Sequence, residues 1–306
     1  MAHAGIKAPF PYFGGKSRIA SEVWRRFGDV KNLIEPFCGS CAVLLARPQP
    51  FSGVESVGDI DAHLVNVWRA LKHAPEKVAW HLSDPPNSFD MAARGSVLRA
   101  AESSLPELLV SDPEAHDPVV AAYWLYCQCC WLNGVASSPT RRPTPRFWRN
   151  GMGVCQPRND AALMEWLQAL SKRLRYVRIA HGNWTSLVSD AALWGHGSGA
   201  TAIFLDPPYG VEDRHDLYSH EDRNVSREVY GWARQNEDNP RLRICAAGYE
   251  AEHEFPETWE VVKWRSHGFV SKHGGQGRIN RDRERLWFSP ACLRNNDPRA
   301  EQLRLF

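Results

Sequence analysis

The spacing of apolar positions changes period along this chain, and each change marks a different element. From Lys16 to Phe27 the residues Ile19, Val23 and Phe27 recur every fourth position, the stripe of one helix face. Asn32 to Phe37 is a short strand, followed by a Cys-Gly-Ser turn and an apolar helix start from Ala42 to Ala46, which together make half of a βαβ unit. Val54 to Val57 reads as a second strand ending at Gly58-Asp59, and a helix then runs through Leu64, Val67, Trp68 and Leu71. Asp84-Pro-Pro-Asn87 breaks that pattern. From about residue 85 to 172 helical spacing dominates, interrupted by a turn cluster from Ser137 to Pro145. Strand texture resumes at Tyr176–Ala180, Ala202–Leu205, Leu242–Ala247, Trp259–Trp264 and Arg285–Phe288. The pattern predicts an α/β sheet domain in two parts, residues 1–84 and 173–306, split by a mainly helical insertion at 85–172.

Composition narrows the class. A chain of 306 residues, 43% hydrophobic, buries a core without staples from disulfides or metal. Its longest apolar run, Val119 to Leu132, spans 14 residues and contains Gln128, short of the roughly 20 that cross a bilayer. With no apolar signal segment near the start, the expected location is the cytoplasm, where the cysteines stay as free thiols. Net charge is only +2, but it is unevenly spread. Arg141 to Arg178 holds nine Lys and Arg against two acids, and Lys263 to Arg285 holds seven against two, so the remainder is acidic. Two basic segments on an acidic body suit a polyanionic partner.

The sharpest local signal is Ala202-Ile-Phe-Leu-Asp206-Pro207-Pro208-Tyr209-Gly210. An apolar strand ending in a carboxylate, two prolines and an aromatic makes a stiff edge where open α/β sheets bind ligands. An Asp oxygen beside a proline carbonyl matches the two hydrogens of an exocyclic amine, and Tyr209 offers a flat face to a base. Glu35-Pro-Phe-Cys-Gly39-Ser40 lies at a strand-to-helix turn, with Asp59 20 residues beyond Gly39 at the next strand end, a spacing suited to a nucleoside cofactor. The fuller G-x-G-x-x-G fingerprint of a dinucleotide site is absent. Phe13-Gly14-Gly15-Lys16-Ser17 ends like a phosphate-binding loop, but Phe10 stands where that motif needs glycine and no strand precedes it.

Other candidates favour plainer readings. Cys127-Gln-Cys129-Cys130 has no second ligand cluster and reads as buried helix cysteines rather than a zinc site. Glu212 to Asp222 reads as a polar loop rather than a metal site. Trp124, Tyr126 and Trp131 sit on helical periodicity and are core candidates. The stretch from Asn133 through Arg141, Arg142, Arg146 and Arg149 interleaves arginine with aromatics and turn residues, which suits phosphate and groove contacts. Lys272, Arg278, Arg281 and Arg283 are expected to add backbone contacts.

Taken in order, Pro11 to Lys16, Glu35 to Ser40, Gly58 to Asp61, the basic helical insertion and Asp206 to Tyr209 resemble the Dam-type, alpha-group family of N6-adenine DNA methyltransferases. The resemblance runs from about Pro9 to the Glu284-Arg-Leu-Trp-Phe-Ser-Pro290 segment. It implies a Rossmann-like sheet that binds S-adenosylmethionine and a target-recognition insertion acting on double-stranded DNA; the oligomeric state is left open, with a monomer favoured. It assigns Tyr12, Phe13, Gly14 and Gly15 to the methionine end of the cofactor, with Lys16 close to the catalytic pocket. Glu35, Pro36, Phe37, Gly39 and Ser40 match the cofactor loop, Asp59 with Ile60 the ribose site, and Asn183-Trp184 the position beside the cofactor adenine. Asn183 departs from the family's usual Asp, and Cys41 stands where glycine is common. The implied chemistry needs no metal: a flipped adenine stacks on Tyr209 while Asp206 and the Pro207 carbonyl, on the edge completed by Pro208, hold its amino hydrogens. The rival expectations are N4-cytosine methylation and a catalytically silent DNA-binding protein.

Overall fold

A computed structural model describes residues 6–12, 14–82, 87–130, 153–155, 160–195, 197–209, 223–250, 252–264, 283–294 and 297. Its helices are α1 (Ala20–Phe27), α2 (Ala42–Leu45), α3 (Ala62–His73), α4 (Pro75–Trp80), α5 (Ser88–Ala101), α6 (Ser104–Ser111), α7 (Pro118–Cys130), α8 (Asp160–Leu174), α9 (Asp190–Trp194) and α10 (Arg223–Gln235). The strands are β1 (Asn32–Glu35), β2 (Val54–Asp59), β3 (Val177–His181), β4 (Thr201–Leu205), β5 (Leu242–Tyr249), β6 (Glu260–Lys263) and β7 (Glu284–Phe288). They form one sheet in the order β3-β2-β1-β4-β5-β7-β6. The first five lie parallel, while β7 runs antiparallel to β5 and β6 antiparallel to β7. All seven strands expected from the sequence are present, within one or two residues at most ends. The architecture is the expected α/β sheet, consistent with a Rossmann-like fold.

Strand residues alternate between two cores, as a two-residue side-chain period requires. Leu33, Ala202, Phe204, Cys245, Ala247, Leu286 and Phe288 face a large core shared with α1 and α3 to α8. Ile34, Ile203, Leu205, Ile244, Ala246 and Trp287 face the other, built with α9 and α10. Burial on both faces explains why β1 and β4 read as nearly continuous apolar runs. The described helices within 85–172 are part of the first core. Phe10 packs edge-on against Trp124 of α7 at 5.0 Å and lies 5.5 Å from Trp68 of α3. Trp124 and Tyr126 are accordingly core residues, while Trp131 lies outside the described residues. Six described cysteines are free thiols, as expected, but Cys130 at the end of α7 is disulfide-bonded, contrary to that expectation.

The topology fixes where a ligand binds. From β1 the chain moves outward to β2 and β3 and then returns to place β4 on the other side of β1. Strand order reverses between β1 and β4, and the crevice beyond their carboxyl ends is the usual ligand site of such a sheet. β1 ends at Glu35, β2 at Asp59, and Asp206 directly follows β4.

Candidate active site

A pocket of about 350 Å³ opens at that reversal point. The volume lies at the lower end of small-molecule sites. Its lining includes Tyr12, Gly14, Gly15, Lys16, Glu35, Pro36, Phe37, Gly39, Ser40, Asp59, Ile60, Asn183, Trp184, Asp206 and Pro208. Every cofactor-site residue expected from the sequence lines it except Phe13, which lies outside the described residues. Pro207 is buried and does not line the pocket. Asn133, Arg141, Arg142, Arg146, Arg149, Lys272, Arg278 and Arg281, and the polar loop Glu212 to Asp222, also lie outside the described residues. Two described members of the basic segments are paired with the protein's own carboxylates, Arg173 in the interior and Arg285 at an exposed acid. Arg173 donates to Glu55 at 2.6 and 2.8 Å, and Arg285 pairs with Glu250 at 2.5 Å.

The turn after β1 is shaped by close approach. Gly39 has φ +44°, and a side chain there would begin 2.7 Å from the Tyr12 ring. Its carbonyl accepts from Trp68 Nε1 at 2.9 Å, which ties the turn to the core. Cys41 follows with φ 51°, a left-handed conformation that suits glycine, the residue common here in the resembling family. Beyond β2 the two acids of Gly58-Asp-Ile-Asp61 divide the work. Asp61 caps α3, accepting from the backbone N–H of His63 at 2.9 Å and of Leu64 at 3.2 Å. Asp59 accepts from Gly39 N–H at 3.3 Å and Asp61 N–H at 3.1 Å, which fixes its carboxylate at the pocket wall.

Both acids of the cofactor side are strongly desolvated. Glu35 is 1% exposed, its Oε1 has no hydrogen-bond partner, and burial pushes its carboxyl up to about 8. Burial, helped by the nearby Asp61 charge, raises Asp59 to about 7. The apolar wall comes from Phe37 and Trp184, whose rings lie 6.3 Å apart. Ile60 completes it at the rim, 51% exposed although apolar. Asn183 uses its side-chain oxygen to accept from Thr185 N–H at 3.0 Å, so the NH2 end is left to donate.

On the β4 side the carboxylate has a cation. The Lys16 ammonium, 3% exposed, donates to Asp206 Oδ1 at 2.9 Å, Asp206 Oδ2 at 2.7 Å and the Gly14 carbonyl at 2.8 Å. This ion pair, with no strand preceding Gly14 among the described residues, ends the phosphate-loop alternative. The Tyr209 hydroxyl lies 3.1 Å from Asp206 Oδ1 and 3.1 Å from Glu284 Oε2 on β7. Tyr249 packs edge-on against Tyr209 at 4.6 Å, and the Lys16 ammonium lies 5.6 Å from the rings of Tyr209 and Trp264. The sequence reading missed Glu284, Tyr249 and Trp264 as site residues. Only Glu284 carried a signal, an acid heading the otherwise apolar Leu-Trp-Phe run of β7.

Residues 12–98 match the family model of D12 class N6 adenine-specific DNA methyltransferases. The match indicates an adenine-specific DNA methyltransferase enzyme. It covers the glycine turn, Glu35 and Asp59 and stops well before Asp206, so the β4 side of the site rests on geometry. Among curated proteins no match was found. Within the described residues, no helix is long and apolar enough to cross a membrane, and no group of His, Cys, Asp and Glu could hold a metal ion.

Proposed function

We propose that this methyltransferase acts on double-stranded DNA and moves the methyl group of S-adenosylmethionine to N6 of a flipped adenine. One observation carries the reading: Asp206, just after β4, opens into the same pocket as Glu35, Gly39 and Asp59 of the family-matched segment. The residues fit the cofactor. Glu35 Oε1, buried and without a partner, suits an ammonium group, and Asp59 suits ribose hydroxyls. Tyr12, Gly14, Gly15, Pro36 and Ser40 line the path between those acids, and Phe37, Trp184 and Ile60 give an adenine ring its apolar walls. The Asn183 NH2 donates to a ring nitrogen, the role open to an amide where the family usually has an acid.

When bound, the cofactor supplies an electrophilic methyl group on a sulfonium sulfur. The chain's own residues position the acceptor. Adenine N6 is a poor nucleophile because its lone pair is delocalised into the ring. Asp206 and the Pro207 carbonyl, accepting the two amino hydrogens, favour the pyramidal nitrogen that attacks. The buried Lys16 ammonium, bonded to both Asp206 oxygens, holds that carboxylate in place and aims it. Tyr209 provides the ring against which the extruded base stacks. Residues 85–172 form the target-recognition insertion, with Asn133, Arg141, Arg142, Arg146 and Arg149 contacting DNA and Lys272 and Arg278 adding phosphate contacts.

The test is mass spectrometry of nucleosides from unmethylated plasmid incubated with the protein and S-adenosylmethionine. N6-methyladenine is the expected product. N4-methylcytosine, or DNA binding with no methylated base, overturns the proposal.

A further inference from the structure

Glu284 has no place in the chemistry so far, yet it is the buried polar group best placed to act on it. It is 3% exposed and heads β7, whose other residues are also buried. Its backbone is held from two sides. Its carbonyl accepts from Trp264 N–H at 3.3 Å and from Arg285 at 2.9 Å, and β5–β7 pairing sets it opposite Tyr249. The same Tyr249 packs on the Tyr209 ring, so sheet register delivers both the wall and the Glu284 carboxylate to one tyrosine.

The Tyr209 hydroxyl has one proton and two carboxylate neighbours at equal distance, 3.1 Å each. If the proton points to Asp206, it occupies an oxygen that already takes one Lys16 bond and that an incoming amine needs. If it points to Glu284, that oxygen keeps a lone pair for the substrate. We infer that Glu284 is a positioning residue: it takes the Tyr209 hydrogen bond away from Asp206 when the base arrives, and anchors the ring on which the base stacks. The inference rests on the catalytic reading of Asp206. It requires no proton transfer, only reorientation of one hydroxyl.

The test is a double-mutant cycle read by single-turnover methylation and by DNA affinity. Variants are Glu284→Leu, which keeps the volume and removes the acceptor, Glu284→Gln, Tyr209→Phe, the Tyr209→Phe/Glu284→Leu pair, and Asp206→Ala. Losing a hydrogen bond to a charged group makes a slowing on the order of tenfold to a hundredfold the expectation for Glu284→Leu. DNA affinity should stay within about threefold, because the lost bond serves the chemical step. Glu284→Gln recovers most of the rate, since its amide oxygen still accepts from Tyr209. Tyr209→Phe slows the step to a similar degree, and adding Glu284→Leu to it costs little more. Multiplied losses in the pair overturn the inference, as does a wild-type rate in either Glu284→Leu or Tyr209→Phe. Tyr209→Phe keeps the ring and so decides the matter even where Glu284→Leu fails to fold. A wild-type rate in Asp206→Ala sinks the catalytic reading itself. Silence there, with multiplied losses in the pair, sinks only the role of Glu284.

Discussion

The two sides of the pocket treat their carboxylates in opposite ways. On the β1 and β2 side, Glu35 and Asp59 are stripped of water and raised to about 8 and 7. On the β4 side, Asp206 is held by a buried lysine and a tyrosine. The first arrangement costs folding energy and suits a site completed by ligand donors, an ammonium group at Glu35 and hydroxyls at Asp59. The second is complete within the protein and suits a group that must hold its geometry through reaction. The same residue type therefore serves as a receptor on one side and as a fixed tool on the other.

Asp206→Ala should break this contrast most severely. Turnover is expected to fall by about a thousandfold or more, while DNA binding stays within about threefold. Stability should fall too, by roughly 3 kcal/mol, because the buried Lys16 ammonium loses its carboxylate. Single-turnover kinetics and urea unfolding check both halves, and an unchanged unfolding midpoint would show that Lys16 needs no partner. Glu35→Gln should do the reverse, weakening cofactor affinity by about tenfold to a hundredfold without lowering the stability of the free protein. Titration calorimetry in buffers of differing ionisation heat sharpens the point: wild-type binding near pH 7 should release a proton, and Glu35→Gln should release less.

The free protein should also report its desolvated acids through pH. The folded state raises Glu35 from 4.5 and Asp59 from 3.8, so between those values and about 8 and 7 it binds more protons than the unfolded chain. Stability contributed by these groups is therefore largest below pH 4 and declines as pH rises through 7 to 8. Thermal melts should show the decline between pH 5 and 8 and its reduction when cofactor is added. A flat profile would mean that the two carboxyls are solvated in solution.

Much of this was legible in the sequence, for identifiable reasons. Parallel strands buried on both faces leave unbroken apolar runs, and the acids and glycines at their ends sit at strand-to-turn boundaries that composition marks. That is why spacing could place Glu35, Gly39, Asp59 and Asp206 at strand ends, while the family resemblance was needed to join them in one site. What could not be read was pairing across the sheet. Nothing local links Glu284 to Tyr209, 75 residues earlier, because the link is created by β7 inserting antiparallel beside β5. Charge counting likewise could not show that Arg173 is turned inward to Glu55. The sequence showed two acids in Gly58-Asp-Ile-Asp61 without showing that Asp61 Oδ1 caps the first turn of α3.

The smallest predicted effect tests the turn that joins the two sides. Cys41 sits at φ 51° and ψ 34°, where a Cβ meets the backbone unfavourably, yet its buried side chain packs beside Cys38. Replacing it with Ala or with Gly removes the same sulfur, so the two variants differ only in the Cβ and in the freedom of the unfolded chain. The left-handed penalty of roughly 1–2 kcal/mol outweighs the greater unfolded-state entropy of glycine, about 0.4–1 kcal/mol. Cys41→Gly should therefore be the more stable of the pair by about 1 kcal/mol in urea unfolding, with cofactor affinity closer to wild type. An alanine variant equal to or better than the glycine variant would mean that the turn relaxes out of the left-handed region, and that the approach of Gly39 to Tyr12 does not depend on it.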